Sequence, residues 1–406
     1  MTKPRALMVV HSYCPADPRV RREAEALADA GWDVDVLCLR DRGQKGSETL
    51  RGVRYLRFPI RRRRGGALRY AFEYVALLLL GFAAAIVLHG RRRYRLVQAH
   101  NMPDFLVFCG IVPWATGVPV LLDLHDPIPE LYMSKFSLPR TSPLIRVLTA
   151  LEALSLRFAD RALVATEAFR RRLVERRRDP ERLTVVLNAP DPLLFHAVDP
   201  GPRQARPAAP VVLFHGTVTE RSGVDLAIRA AERVRAGGTE LRLVILGDGD
   251  FLPEVRRLVG EGNRATWVDV RGPVALEKVP EVIAACDVGL VPNRGGAFSE
   301  LALPTRIFEV LSMGRPVVCA RSPAILDLFD ESDLMFFEPE SEEDLARVLA
   351  LALTDPDRRE RCVAAGARVT SAHAWTHERR VYLDVVESLT GAAAALRPAE
   401  SGARVR

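Results

Sequence analysis

The sequence predicts an α/β protein of two doubly wound, Rossmann-like domains facing each other across a cleft. Three observations predict it. Short strand-like runs, apolar on both faces, alternate with segments of helical spacing, as in parallel sheets covered by helices. That alternation breaks at a Pro-rich stretch, residues 188–210, and then restarts. At 406 residues the chain is too long for one ordinary core.

The first domain is expected over residues 1–190. Ala6–Val10 reads as its first strand, followed by the loop His11–Pro18 and a helix over Val20–Ala30 that stops at Gly31. Further strands are expected at Val34–Leu39, Leu96–Ala99, Val118–Leu124, Ala162–Ala165 and Thr184–Leu187. Residues 191–210 are the expected linker. The second domain, 211–374, then runs through strands at Val211–His215, Leu241–Leu246, Thr266–Val270, Val288–Pro292 and Pro316–Ala320. Its expected helices are Val224–Ala236, Val279–Ala285 and Thr305–Met313. A terminal helix is expected over 375–392 and a flexible tail over 393–406.

Charge is divided unevenly. The formal net charge is +7, yet residues 1–200 carry +11 and residues 201–406 carry −4. Residues 61–95 alone hold nine Arg against one acid, Glu73. They bracket the most apolar segment, Tyr70–Leu88. Arg on both sides lacks the one-sided bias of a spanning helix, so an in-plane or buried helix is expected, with contact to an anionic membrane surface through 61–95. Only four of the 58 basic residues are Lys, so the Arg runs partly reflect a compositional bias. Without interleaved aromatics or a recognised module they do not point to nucleic acid. The six Cys are scattered without CxxC or zinc-like spacing and read as buried free thiols, which fits a cytoplasmic setting. MTKPRALMVVHSY has no signal-peptide layout.

Chemistry concentrates in the second half. Val211–His215 runs into Gly216-Thr217-Val218-Thr219-Glu220-Arg221-Ser222-Gly223, a strand-to-helix turn able to offer amides to a phosphate. A second strand ends in Gly247-Asp248-Gly249-Asp250, whose glycines permit close approach of a ligand. A plain turn explains either motif equally well. The third piece is a helix opening at Thr305 behind Pro304. Its N-terminus suits a diphosphate, and Glu309 lies one turn in, where a carboxylate can take two ribose hydroxyls. In the first half, His125 follows the apolar run ending LDLHD, and Asp126 beside it, together with Asp17 and Arg19 in the first loop, are the candidates to border an acceptor. Asp33 and Asp35 resemble a metal-binding pair but share one strand face and read as structural.

The ordered set GT…ERSGVD, LVILGDGD, ACDVGLVPNR and LPTRIFEVLSMGRPVV resembles the nucleotide-sugar half of glycosyltransferase family 4, with the GT-B fold. DPRVRREAEALADAGWDVDVL and NMPDFLVFCGIVPWATGVPVLLDLHDPIPELY resemble its acceptor half. The resemblance implies a retaining, metal-independent transfer from a nucleotide sugar to a lipid-linked or cell-envelope glycan, with no cofactor, at the cytoplasmic membrane face. It makes His125 the sugar-contacting catalytic residue and Glu309 the ribose binder. It places the donor among Gly216, Thr217, Arg221, Gly247, Gly249, Thr305 and Arg306. The sequence also departs from the family. Leu301 stands where the first Glu of the E-x7-E motif falls, and Glu300 is one position off. Pro304 replaces a Gly that lends its amide, and Thr217 and Ser222 occupy the places of the phosphate-binding Arg and Lys. Arg221 or Arg306 is the candidate replacement cation. The departures resemble an LPTK-like variant of the family, and Leu301 also leaves open a non-catalytic nucleotide-sugar-binding scaffold. A sugar-nucleotide epimerase of the same fold would need acid/base carboxylates facing the sugar, and no compelling pair is present.

Overall fold

The computed structural model describes residues 3–61, 67–197 and 209–391, with the side chains of 67–71 excepted. The first domain runs β1 (Arg5–Tyr13), α1 (Pro18–Asp29), β2 (Asp33–Leu39), β3 (Ser47–Leu50), β4 (Val53–Phe58), α2 (Ala67–Arg92) and β5 (Leu96–His100). It continues with α3 (Ile111–Ala115), β6 (Val120–Leu124), α4 (Ile128–Phe136), α5 (Pro143–Phe158), β7 (Arg161–Val164), α6 (Glu167–Glu175) and β8 (Leu183–Val185). Its sheet has the order β3-β4-β2-β1-β5-β6-β7-β8. Every pairing is parallel except β3–β4. That hairpin departs from the expected all-parallel sheet. It lies at the edge, where alternating Arg and apolar residues in VRYLRF bury one face only and give no continuous apolar run to recognise.

Side-chain alternation along β1 builds the layers. Ala6, Met8 and Val10 point to one core with α1, whereas Leu7 and Val9 point to the other with α2. Asp17 and Pro18 start α1: the Asp17 carboxylate accepts from the Arg19 and Val20 amides, both at 3.2 Å.

The second domain comprises β9 (Val211–His215), α7 (Val224–Ala236), β10 (Arg242–Leu246), α8 (Leu252–Gly260), β11 (Val268–Arg271), α9 (Val279–Ala284), β12 (Val288–Val291), α10 (Thr305–Ser312), β13 (Val317–Ala320), α11 (Pro323–Leu326) and β14 (Met335–Phe337). α12 (Glu342–Thr354), α13 (Pro356–Ala372) and α14 (Trp375–Thr390) follow. The sheet order is β11-β10-β9-β12-β13-β14, parallel throughout. β14, only three residues long, was not anticipated from the sequence.

α14 leaves the second domain and packs on α1. Tyr382, fully buried, donates to Gln98 Oε1 at 2.7 Å, and the Glu378 carboxylate accepts from the Leu187 amide at 2.8 Å. Residues 198–208 of the linker and the tail 393–406 lie outside the described residues. All six cysteines are free and buried. Asp35, fully buried, is held by Arg54 at 2.7 Å and Arg92 at 2.9 Å, so it is a core anchor.

α2 is neither wholly buried nor wholly exposed. Leu77, Ala85 and the partly polar Glu73 and His89 repeat every four or eight residues and face inward. Phe72 (74 % exposed), Val75, Leu79 (62 %), Ile86 and Val87 face outward. Arg91 and Arg93 at its end are exposed, while Arg62–Arg64 before it lie outside the described residues.

Candidate functional site

The carboxyl ends of the two sheets face each other across a cleft of about 640 Å³. The first domain contributes His125 and Asp126 after β6, Thr166 after β7 and Asn188 after β8. The second contributes Gly216 and Thr217 after β9 and Gly247 after β10, with Arg221, Thr305, Arg306 and Glu309 around them. A crevice outside the carboxyl ends of parallel strands is where such sheets bind ligands.

Two cations dominate the donor side. Arg306 stacks over the Phe214 ring at 4.7 Å and donates to the His215 carbonyl at 3.1 Å and to Asn293 Oδ1 at 3.3 Å. Burial pushes its guanidinium down to about 10, against the opposing charge of Glu309, so it stays cationic at neutral pH. Arg221 stacks over Phe298 at 5.0 Å, and burial lowers its pKa against the charges of Asp126 and Asp250. Neither guanidinium has a carboxylate partner at ion-pairing distance among the described residues. Cations that are desolvated yet unpaired are costly unless an anion completes the site. The expected choice between Arg221 and Arg306 therefore has no single winner: both line the cleft.

α10 presents its N-terminus here. Pro304 provides no side-chain cap, so the first amides of the helix and its dipole are left for a ligand. Glu309 is not free: its Oε2 lies 2.7 Å from His215 Nε2. His215 closes β9 and is only 5 % exposed. It was missed in the sequence, although a His ending an apolar strand before Gly216 was a usable signal.

The glycines divide. Gly247 takes φ +147°, and a Cβ there would lie 1.9 Å from the Gly216 carbonyl oxygen, so the two phosphate-side turns touch backbone to backbone. At Gly249 a Cβ would lie 1.9 Å from the Val218 carbonyl oxygen. Gly249 does not line the cleft; it lets the GDGD turn pack beneath the first turn, which corrects its assignment to donor contact.

Residues 16–189 match a family described as "Glycosyl transferase 4-like domain", and residues 209–355 match "Glycosyl transferases group 1". The chain belongs to the GT-B glycosyltransferases of this family 4/1 type. Similar curated proteins include an alpha-D-kanosaminyltransferase of Streptomyces kanamyceticus, 27% identical over 40% of this chain and 41% of that protein. A D-inositol 3-phosphate glycosyltransferase of Stackebrandtia nassauensis is 30% identical over 50% of this chain and 47% of that protein. The chain thus spans under half the length of these curated relatives. Among solved structures, sucrose-phosphate synthase from Thermosynechococcus elongatus superposes with TM-score 0.76 at 20% identity, over 97% of this chain and all of that one. Anabaena HepE in complex with UDP-glucose superposes with TM-score 0.73 at 17% identity, over 95% and 99% of the two chains. These two likenesses show the fold.

In this GT-B chain His125 is held from behind. Its Nδ1 lies 3.2 Å from Asp123 Oδ2 and its amide donates to Asn101 Oδ1 at 3.1 Å. Burial disfavours its charge, but the hydrogen bond to Asp123 and the charges of Asp123 and Asp126 outweigh burial and hold it at about 9. Nδ1 is thereby engaged, leaving Nε2 as the ring nitrogen available to a ligand. Asp123 itself is fully buried, and despite that burial the Arg19 charge and hydrogen bonds from His100 and His125 keep its carboxyl well below the usual range.

Arg19 forks onto Asp123 at 2.7 and 2.9 Å, pairs with Glu23 at 3.2 Å and donates to the Val186 carbonyl at 3.0 Å. It is 4 % exposed and does not reach the cleft. The expectation that Arg19 borders an acceptor is corrected by its burial as an anchor for Asp123; Asp17, half-buried, caps α1 and does not line the cleft. Glu23, His100 and Asp123 lie close enough to share a metal ion. The Arg19 guanidinium already pairs with both carboxylates, so these residues do not fit one.

Leu301 is 4 % exposed and packs with the first domain's core, and its carbonyl accepts from Thr166 Oγ1 at 2.7 Å. Glu300 points elsewhere, 3.8 Å from Arg172, and does not line the cleft.

Proposed function

We propose that the chain is a retaining, metal-independent glycosyltransferase that moves a sugar from a nucleoside-diphosphate donor to a lipid-linked or cell-envelope glycan. The observation that supports this best is the pair of unpaired, desolvated arginines, Arg221 and Arg306, beside the open end of α10 and across the cleft from His125. In the reaction the bond between anomeric carbon and diphosphate oxygen breaks. The acceptor hydroxyl oxygen bonds to the same face of that carbon, and its proton passes to the departing phosphate. Arg221, Arg306 and the α10 amides stabilise the charge that develops on the diphosphate. His125, held cationic by Asp123, donates to a sugar hydroxyl and orients it. Glu309, braced by His215, takes the ribose.

The test is incubation with a panel of radiolabelled nucleotide sugars and membrane lipid extract, with and without a chelator. Label entering lipid at the same rate in both supports the proposal. Binding without transfer throughout would favour the scaffold reading, which Leu301 in place of a family carboxylate motivates. Glu309→Ala is expected to weaken the nucleotide by roughly tenfold, the cost of a charge-assisted hydrogen bond. Unchanged affinity by calorimetry would remove Glu309 from the ribose role.

The proposal includes peripheral attachment to the inner membrane face through α2. Its outward stripe Phe72, Val75, Leu79, Ile86 is apolar and ends in the exposed Arg91 and Arg93. Phe72→Ser/Leu79→Ser should reduce sedimentation with anionic vesicles several-fold. Arg92 is unsuitable for such a test because it pairs with Asp35. Vesicle binding that survives the double substitution would end the α2 assignment.

A further inference from the structure

A second cavity, about 480 Å³, opens in the first domain between the end of α5 and the starts of β7 and β8. Thr166 and Asn188 line the donor cleft beyond the carboxyl ends of those same strands, whereas Arg161, Ala162 and Leu183 line this cavity at their amino ends. The two cavities therefore lie roughly 13 Å or more apart, a four-residue strand being about that long.

Five arginines line it: Arg157, Arg161, Arg177, Arg178 and Arg182. Two have structural work. Arg182 donates to the Asp160 carbonyl at 3.1 Å and to that of Ala159 at the end of α5, and Arg161 donates to the Glu181 carbonyl. Both bond to neutral carbonyls, so neither charge is cancelled. Arg157, Arg177 and Arg178 have no carboxylate at ion-pairing distance among the described residues, and Arg178 Nε is buried without a hydrogen-bond partner. One carboxylate lines the cavity, Asp179, and it accepts from the Glu181 amide at 3.0 Å. The lining carries a formal +4; Glu152 acts on Arg178 through its field but is already paired with Arg176. Elsewhere on this Arg-rich surface the pattern differs: Arg229, Arg257, Arg264 and Arg347 all pair with acids.

The rim supplies a second property. Leu154 lines the cavity and is 53 % exposed, and Val147 and Leu144 stand exposed on α5 before it. Spacings of three and seven residues put them along one side of the helix.

We propose that this cavity is a second anion site, separate from the donor cleft, which holds the phosphate of an anionic lipid while the α5 stripe takes the start of its chain. A fork-shaped guanidinium cluster suits phosphate oxygens, and the stripe distinguishes a lipid phosphate from a free one. The inference does not rest on glycosyl transfer and stands if the donor cleft is inert.

Calorimetric titration of the full chain with dihexanoyl phosphatidic acid, dihexanoyl phosphatidylcholine and inorganic phosphate tests it. Phosphatidic acid is expected to bind, phosphatidylcholine not, and inorganic phosphate more weakly than phosphatidic acid. Arg157→Gln/Arg177→Gln/Arg178→Gln leaves the two carbonyl-bonded arginines in place and should weaken phosphatidic acid by about a hundredfold, from the effect of three cations near a lipid phosphate. The triple Lys variant should retain most of the binding. Leu154→Ser should weaken the lipid and leave inorganic phosphate unchanged. Arg306→Ala, in the other cavity, should leave phosphatidic acid binding unchanged. Binding that survives the triple Gln substitution, or vanishes with Arg306→Ala, overturns the site. Equal affinity for inorganic phosphate and phosphatidic acid overturns the lipid assignment.

Discussion

Arg306→Ala is expected to lower kcat for sugar transfer by about 10²–10³, the cost of removing one preorganised donor from a developing oxyanion. The reason lies in its surroundings. Arg306 is desolvated against Phe214 and hydrogen-bonded only to neutral oxygens; Glu309 acts on it through its field but does not pair with it. Charge grows on the diphosphate as the sugar leaves, and the interaction strengthens along that path. The loss should therefore fall more on kcat than on KM. Arg306→Lys keeps the charge without the fork and should recover part of the rate. Melting temperature should hold or rise, since an unpaired desolvated cation is removed. A kcat within threefold of the parent would show that Arg306 does not face the leaving group.

Asp123→Asn is expected to cost about 3–5 kcal/mol of folding stability, the usual consequence of breaking a buried charge network from one side. Arg19 loses its fork, and His100 and His125 lose their shared carboxylate. The pH dependence separates this from a generic packing defect. His125 is raised from 6.5 to about 9, so the folded protein holds a proton that the unfolded chain releases. The stabilisation is fully present below pH 6.5 and is lost as pH rises through about 9, a loss of roughly 3 kcal/mol at 1.36 kcal/mol per unit. Asp123 is shifted the other way, so its contribution is present above the usual carboxylate range and is lost only as pH falls through its depressed value. Urea unfolding at pH 6 and pH 9.5 should show the alkaline loss in the parent and a much smaller one in the variant. Parallel pH profiles would mean that Asp123 does not hold the proton on His125.

Most of the fold was legible because buried parallel strands write themselves as apolar runs. β9 and α7 coincide with the segments read from sequence, and β2 does within one residue. The edge hairpin β3–β4 was not legible, since a strand with one solvent face carries arginines that interrupt the run. The site divided on a similar line. Glycines and the opening of α10 announce themselves locally, and they gave Gly216, Gly247, Thr305 and Arg306. Arg19 was misassigned because its partner Asp123 is 104 positions away. No local pattern shows that a loop arginine turns inward to meet it. The pairing of His215 with Glu309 is hidden for the same reason, with β9 and α10 meeting only in the folded sheet.

α14 has a mechanical consequence. The backbone passes between the two sheets twice, once after β8 and again just before Trp375. The same double tie makes the halves inseparable. A fragment ending at the linker would leave bare the apolar groove on α1 that Tyr382, Leu383 and Val386 fill.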